Sequence, residues 1–170
     1  EHDGEELAEA FTCAAMPEGH TGVLITGPHL PEPVRRAAKS RAARRSDLRV
    51  HTWREDLVRW YAGAAAVVAM GGYNTVCEVL DSGTPALVVP RVRPRREQAI
   101  RAERLAATTH LDSMHPDLVR PARLSDWLAT AVRRPRGAHG VDLDGLARLP
   151  RLVEALVASR TETEAARAHA

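Results

Sequence analysis

VVAMGGYNTVCEVLDSGTPALVVP, residues 67 to 90, joins two Val-rich apolar runs through a glycine pair, a helix-patterned segment and a Gly-Thr-Pro turn. The runs read as strands over 65–70 and 85–90, and TVCEVLDS (75–82) reads as the helix between them. Neighbouring parallel strands need a crossover of this kind, so the stretch is one strand–helix–strand unit.

The same alternation continues on both sides. Upstream, helical spacing over 4–16 leads to an apolar run at 21–27, closed by Gly27 and Pro28. A basic helix opened by prolines (31–45), a strand LRVHTW (48–53) and a helix with Leu57, Trp60 and Tyr61 apolar (54–64) follow. Downstream comes a helix over 95–107. Short Pro/Gly-bounded strands separated by helices of 8 to 15 residues predict an α/β, doubly wound parallel sheet covered on both faces. Beyond residue 108 the pattern is weaker, with amphipathic helices over 124–134 and 143–159 around a Pro/Gly/Arg loop at 133–140. Pro150 is placed at a helix start or a kink. One domain is expected over 1–160, and the polar RTETEAARAHA at the end is expected to be a frayed or disordered tail over 161–170.

Composition removes several classes of function. At 170 residues and 44% hydrophobic the chain can bury a core, and 24 basic against 22 acidic side chains give a net charge of only +2. That balance offers no case for nucleic acid or an anionic membrane surface. No apolar run approaches the ~18 residues of a membrane span and no signal peptide is recognisable, so a soluble, cytoplasmic protein is expected. Cys13 and Cys77 have neither metal-ligand nor redox spacing and read as small buried hydrophobes in a reducing compartment. The chain opens on Glu1 rather than Met and is expected to be a piece of something longer. Histidines lack the i, i+4 spacing of a zinc helix, and G-x-S-x-G, P-loop and G-x-G-x-x-G motifs are absent. Asp142-Leu143-Asp144 has the form of a metal-holding D-x-D, but it precedes a helix, where carboxylates favour the N-terminus anyway. No metal and no cofactor is expected.

Gly71 and Gly72 stand at the carboxyl end of a strand, just before a helix. In open α/β sheets ligands bind at that edge, where a helix N-terminus offers unpaired N–H groups to an anion. Without a Cβ, either glycine lets a phosphate approach the main chain; taken alone, the pair reads first as serving only to make the bend. Glu78 is ambiguous in the same way. Thr75-x-x-Glu78 is a capping box, and a carboxylate one turn into such a helix is also placed to accept hydrogen bonds from ribose hydroxyls.

Over AAAVVAMGGYNTVCEVLDSGTPALVVPRVRPRREQAIRAERLAA (64–107) the chain resembles the donor-binding C-terminal domain of GT-B glycosyltransferases, especially glycosyltransferase family 28. That family includes the lipid-linked N-acetylglucosaminyltransferase of peptidoglycan synthesis. The matching features are the apolar strand, the small-residue loop, Thr-x-x-Glu, Gly-x-Pro, a second strand ending in Pro, and a Glu-Gln pair opening the next helix. The resemblance implies a Rossmann-like half of a GT-B fold that lacks its first strand, and a metal-independent hexosyltransferase taking a nucleotide-sugar donor, a UDP-hexose or UDP-N-acetylhexosamine. It makes Gly71, Gly72 and the backbone of Tyr73, Asn74 and Thr75 the diphosphate cradle. Glu78 becomes the ribose ligand, Glu97 and Gln98 the pair holding the donor sugar, and Trp53 and Arg54 the nucleotide-base site. Trp53 could equally be a core aromatic. Glu97 departs from the Gln or Asp usual in the family, and Met70 stands where a basic residue is common, which leaves Arg91, Arg93 or Arg95 to offset phosphate charge. The N-terminal acceptor domain with the catalytic base is missing from the chain, so no residue here is assigned as catalytic and the chain alone is expected to be inactive. Two other functions stay open: half of a sugar-nucleotide 2-epimerase, which shares this fold, and a non-catalytic nucleotide-binding or assembly module.

Overall fold

The computed structural model describes residues 3–138 and 140–168, without the side chains of Asp3 and of residues 158–168. The chain divides into two compact units, Glu1–Gly140 and Val141–Ala170. In the first unit, helices and strands alternate: α1 (Asp3–Cys13), β1 (Gly22–Ile25), α2 (Glu32–Ala42), β2 (Leu48–His51), α3 (Leu57–Gly63), β3 (Val67–Met70), α4 (Tyr73–Ser82), β4 (Ala86–Val89), α5 (Glu97–Ala106), β5 (Leu111–Ser113) and α6 (Pro121–Ala131). The second unit holds α7 (Gly145–Ala168), with Pro150 inside the helix. The polar segment after residue 160 continues α7 as far as Ala168, and the last two residues of the expected tail lie outside the described residues.

Every strand pair is parallel, as the alternation predicts, but the strands form two sheets rather than one. β1 pairs with β2, Gly22 opposite Leu48 through Ile25 opposite His51. β3 pairs with β4, Val67 opposite Ala86 through Met70 opposite Val89, and β4 pairs with β5. β5 escapes the sequence pattern because its three residues, Leu-Asp-Ser, carry a single buried apolar side chain.

Side chains alternate between the two faces of the β3–β5 sheet, as the period of a strand requires. Leu87 and Val89 join Leu7 and Ala10 of α1, Ala14 just after it, Val119, and Leu124 of α6 in one core, with Val68 and Met70 packed against it. Val67 and Ala86 turn the other way, against Val79 of α4 and half-buried Tyr61 of α3. The sheet is thus covered on both faces.

Two hydrogen-bonded arginines fix the connections. Arg45 donates to the carbonyls of Thr12 (3.0 Å) and Ala14 (2.8 Å) at the end of α1 and pairs with Asp47 at 2.7 Å just before β2. Arg136, in the Pro/Gly/Arg loop, donates to the carbonyls of Ala62 (2.6 Å) and Ala64 (2.8 Å), tying the end of α3 to the turn after α4 through Ser82 and Thr84. Gly83 closes α4 at φ 64°, the left-handed cap that glycine adopts at least cost.

Three local expectations are corrected. Helix α4 starts at Tyr73 with Gly72 as its N-cap, two residues before the predicted start, so Thr75 is inside the first turn and no capping box forms. Cys13 is exposed and Cys77 half-buried, so neither is a buried hydrophobe. Trp53 is 64% exposed, which removes the core-aromatic reading. In the second unit, Asp142 accepts the main-chain N–H of Asp144 (2.9 Å) and pairs with Arg148 (2.9 Å), a helix-leading turn that engages both oxygens of the Asp142 carboxylate.

Candidate functional site

The carboxyl ends of the parallel strands deliver the candidate residues. β1 runs out into Thr26 and Gly27, β2 into Trp53 and Arg54, β3 into Gly71 and Gly72, and β4 into Pro90 and Arg91. Thr26, Gly27, Trp53, Arg54, Met70, Thr75 and Arg91 all line one groove of about 560 Å³. Of the ten residues picked from the sequence, Trp53, Arg54 and Thr75 border this groove.

The glycine pair divides its work. A Cβ on Gly71 would lie 3.2 Å from Gln98 Cβ, 3.3 Å from Val88 Cγ1 and 3.4 Å from Pro90 Cβ, so the absence of a side chain there lets β3, β4 and α5 close together. Gly72 has φ −60° and ψ 142°, angles open to any residue, and the nearest atom to an added Cβ is Thr75 Oγ1 at 3.8 Å. Its bend therefore does not need glycine, whereas an approach to the main chain from outside would. The first intrahelical bond runs from the Val76 N–H to the Gly72 carbonyl (3.0 Å), so the N–H groups of Tyr73, Asn74 and Thr75 precede the ladder of α4. No side chain caps them. They form the positive end of a ten-residue helix, with Tyr73 and Asn74 exposed.

Helix α5 braces this loop. Arg101 donates to the Gly71 carbonyl (3.1 Å) and stacks its guanidinium 5.3 Å from the Tyr73 ring centre. Gln98 Oε1 accepts the main-chain N–H of Arg91 (3.0 Å), which joins the two loops at the ends of β3 and β4. Glu97, the first residue of α5, is exposed beside it. Arg101 was not picked out from the sequence; its position one turn beyond Gln98 on the same helix was the available signal.

Around β2, the Arg54 guanidinium donates to the His51 ring (2.8 Å) and lies 5.5 Å from the Trp60 ring centre, while Arg54 Nε is buried without a hydrogen-bond partner among the described residues. Burial, followed by the charge of Arg54, holds the His51 imidazole below its ordinary pKa, so the neutral ring is the acceptor this contact needs. Tyr61 closes the floor. Burial first, and then the charge of Glu78, push its phenol above the ordinary value against a hydrogen bond with Thr75. Tyr61, Thr75 and Glu78 are therefore neighbours on one side of α4, a grouping hidden from the sequence because Tyr61 reads there as one more apolar helix residue. Among the described residues no cluster of three metal-ligating side chains exists, and no helix is long and apolar enough to cross a membrane.

Comparison with solved structures bears on the fold. A glycotransferase of kitacinnamycin superposes with a TM-score of 0.56, at 23% identity, over 78% of this chain and 31% of that one. The chain has a GT-B glycosyltransferase-like fold. Spinosyn forosaminyltransferase SpnP aligns at 20% identity over 82% of this chain and 45% of its own, with a TM-score of 0.46. The chain thus spans less than half the length of either glycosyltransferase. No protein-family model and no curated protein matches it. Within that fold, the two parallel sheets correspond to a Rossmann-like half.

Proposed function

We propose that the chain is the donor-binding C-terminal domain of a cytoplasmic glycosyltransferase of the family 28 kind, which binds a UDP-hexose or UDP-N-acetylhexosamine for transfer to an acceptor hydroxyl. The observation that carries this reading is the uncapped N-terminus of α4 beside a Gly72 whose open backbone angles do not call for glycine. In this reading the diphosphate lies on the N–H groups of Tyr73, Asn74 and Thr75, with Gly72 leaving the approach clear. Arg91 supplies positive charge from the end of β4, and the helix and arginine together take the part a metal ion plays elsewhere. Trp53, exposed at the end of β2, covers the base, with Arg54 beside it. Glu78 accepts from the ribose hydroxyls, and Glu97 and Gln98 meet the sugar, Gln98 through the amide nitrogen that its bond to Arg91 leaves free.

The acceptor site and the catalytic base belong to an N-terminal domain outside this chain. A 2-epimerase requires acid and base carboxylates facing the sugar, whereas the residues assigned here to the sugar, Glu97 and Gln98, hold one carboxylate between them, and the transferase reading is preferred for that reason. Calorimetric titration should show UDP binding to the isolated chain, with no sugar transfer from a UDP-sugar. Glu78→Gln should weaken UDP binding about tenfold, through loss of a charge-assisted hydrogen bond worth about 1.5–3 kcal/mol. Its melting temperature should hold, since Glu78 caps nothing. No heat with millimolar UDP would sink the proposal, and unchanged affinity in Glu78→Gln would remove the ribose role.

A further inference from the structure

Helix α5 meets the loop after β3 through an apolar contact, Gln98 Cβ against Gly71, and through a cation. The Arg101 guanidinium donates to the Gly71 carbonyl at 3.1 Å and lies 5.3 Å from the centre of the Tyr73 ring, so one side chain grips two of three consecutive residues. We propose that Arg101 is a positioning residue for the donor diphosphate: it fixes the main chain that receives the phosphates and masks a carbonyl that would repel them. This role rests on the donor-binding reading of the chain.

Geometry supports the first part. The peptide between Gly71 and Gly72 is held at both ends, its N–H by the Met70 carbonyl (2.9 Å) and its C=O by Arg101. With that plane fixed, the Gly72 angles, φ −60° and ψ 142°, set the direction of the Tyr73 N–H, the first of the N–H groups that precede the ladder of α4. The stack then restrains Tyr73 itself, whose ring is otherwise 66% exposed. Adjacent glycines are the most freely rotating pair a chain can offer. Left loose, they would have to be ordered by the incoming anion, and that entropy would be subtracted from its affinity. Arg101 does the ordering beforehand.

Charge supports the second. A carbonyl oxygen carries the negative end of its dipole, and the Gly71 oxygen lies two residues ahead of Tyr73, beside the N–H groups that would hold a phosphate. Bonded to a guanidinium, that negative end is offset by a full positive charge. Arg101 pairs with no carboxylate among the described residues, and Glu97, one turn earlier on α5, pairs with no cation among them, so the charge of Arg101 is not cancelled locally. Arg101 is also half-buried where Arg91 is exposed, and a half-buried charge is screened less by salt. A clamp that only held α5 to the loop would not need a cation, since Gln98 Cβ and Pro90 Cβ already close on Gly71.

Titration of the 170-residue chain with UDP and with uridine, followed by NMR, separates the phosphate share of the affinity from the rest. Arg101→Met keeps an unbranched stem but neither charge nor donor; it should weaken UDP binding about tenfold and uridine binding by less than about twofold. Arg101→Lys restores a charged donor without the flat face and should recover part of the loss. Tyr73→Phe should match the parent, because the ring and not the hydroxyl meets Arg101, while Tyr73→Leu, at an exposed position, should lose about threefold. In nucleotide-free Arg101→Met, amide relaxation should show larger motions of Gly72 and Tyr73 than in the parent, with Val79 in the middle of α4 unchanged. Full UDP affinity in Arg101→Met, equal losses for UDP and uridine, or unchanged motion of Gly72 and Tyr73 would each overturn the role. If Arg101→Met does not fold, Arg101→Lys and Tyr73→Leu carry the comparison, and parental ratios of UDP to uridine affinity in both would overturn it. A parent chain that binds no UDP would sink the donor-site reading and this role together, whereas a parent that binds and variants that bind equally well would remove only the role of Arg101.

Discussion

At the scale of the residue, the two glycines that look alike in the sequence are opposites in the structure. An alanine at Gly71 must push against Gln98 Cβ, Val88 Cγ1 and Pro90 Cβ, side-chain atoms none of which is the far end of a flexible side chain. Gly71→Ala should cost about 1–3 kcal/mol by overpacking. Gly72→Ala has allowed angles and open space, and should leave the urea midpoint within about 0.5 kcal/mol of the parent. Its added methyl stands where the donor phosphate would approach, so UDP affinity should fall while stability holds. Urea unfolding and UDP titration on both variants check this, and full affinity in Gly72→Ala would remove the cradle reading. Residue types at the site were legible in the sequence because strand ends and helix starts announce themselves through Gly, Pro and apolar runs. Partnerships were not: Arg54 with His51, Arg101 with Gly71 and Tyr61 with Thr75 join residues whose spacing carries no signal without the fold.

At the scale of the element, the strand cores and helix centres followed from periodicity, and the ends did not. The start of α4 shows why. Thr75-x-x-Glu78 has the form of a capping box, but β3 stops at Met70 and packing holds Gly71 against α5, which starts the helix at Tyr73 with a cap that has no side chain. Tertiary contact overrode the local motif. Arg45 makes the complementary case, a charged residue in a basic helix tail that proves to hold an element in place. Its bonds to the Thr12 and Ala14 carbonyls satisfy the end of α1, and Arg45→Ala should cost about 1–3 kcal/mol by leaving them unpaired. Asp47 adds a pH dependence. Its hydrogen bond and ion pair with Arg45 hold its carboxyl below the ordinary 3.8, so the folded protein keeps the charge longer than the unfolded chain does. The stabilisation is complete above the unfolded value and is lost as pH falls through the lower, folded one. Urea midpoints measured from pH 7 down to about 3 should therefore drop less steeply in Asp47→Asn than in the parent, and identical slopes would mean that the pair contributes nothing.

At the scale of the first unit, parallel winding was legible because each short apolar run is followed by a helix, while the division into two sheets was not, since no sequence pattern marks which edges remain unpaired. What holds the two sheets together is α1. It packs on α2 and β1 on one side and on α6 on the other, and its Leu7 and Ala10 enter the core with Leu87 and Val89 of β4. Leu7 faces both the core and the groove. Leu7→Ala should cost about 2–5 kcal/mol, the range for deleting a buried leucine whose site relaxes only in part. The response should also be delocalised. Leu7 belongs to the core cluster of the β3–β5 sheet, so a local loss would speed amide exchange there and leave β1 and β2 as they were. If α1 is the tie, the amides of Leu24 and Val50, in the other sheet, should lose protection to the same extent as those of Leu87 and Val88. Exchange confined to β3, β4 and β5 would show that the β1–β2 pair is anchored independently, through Arg45 and Arg41, which bonds to Glu9 at 3.0 Å, rather than through the apolar face of α1.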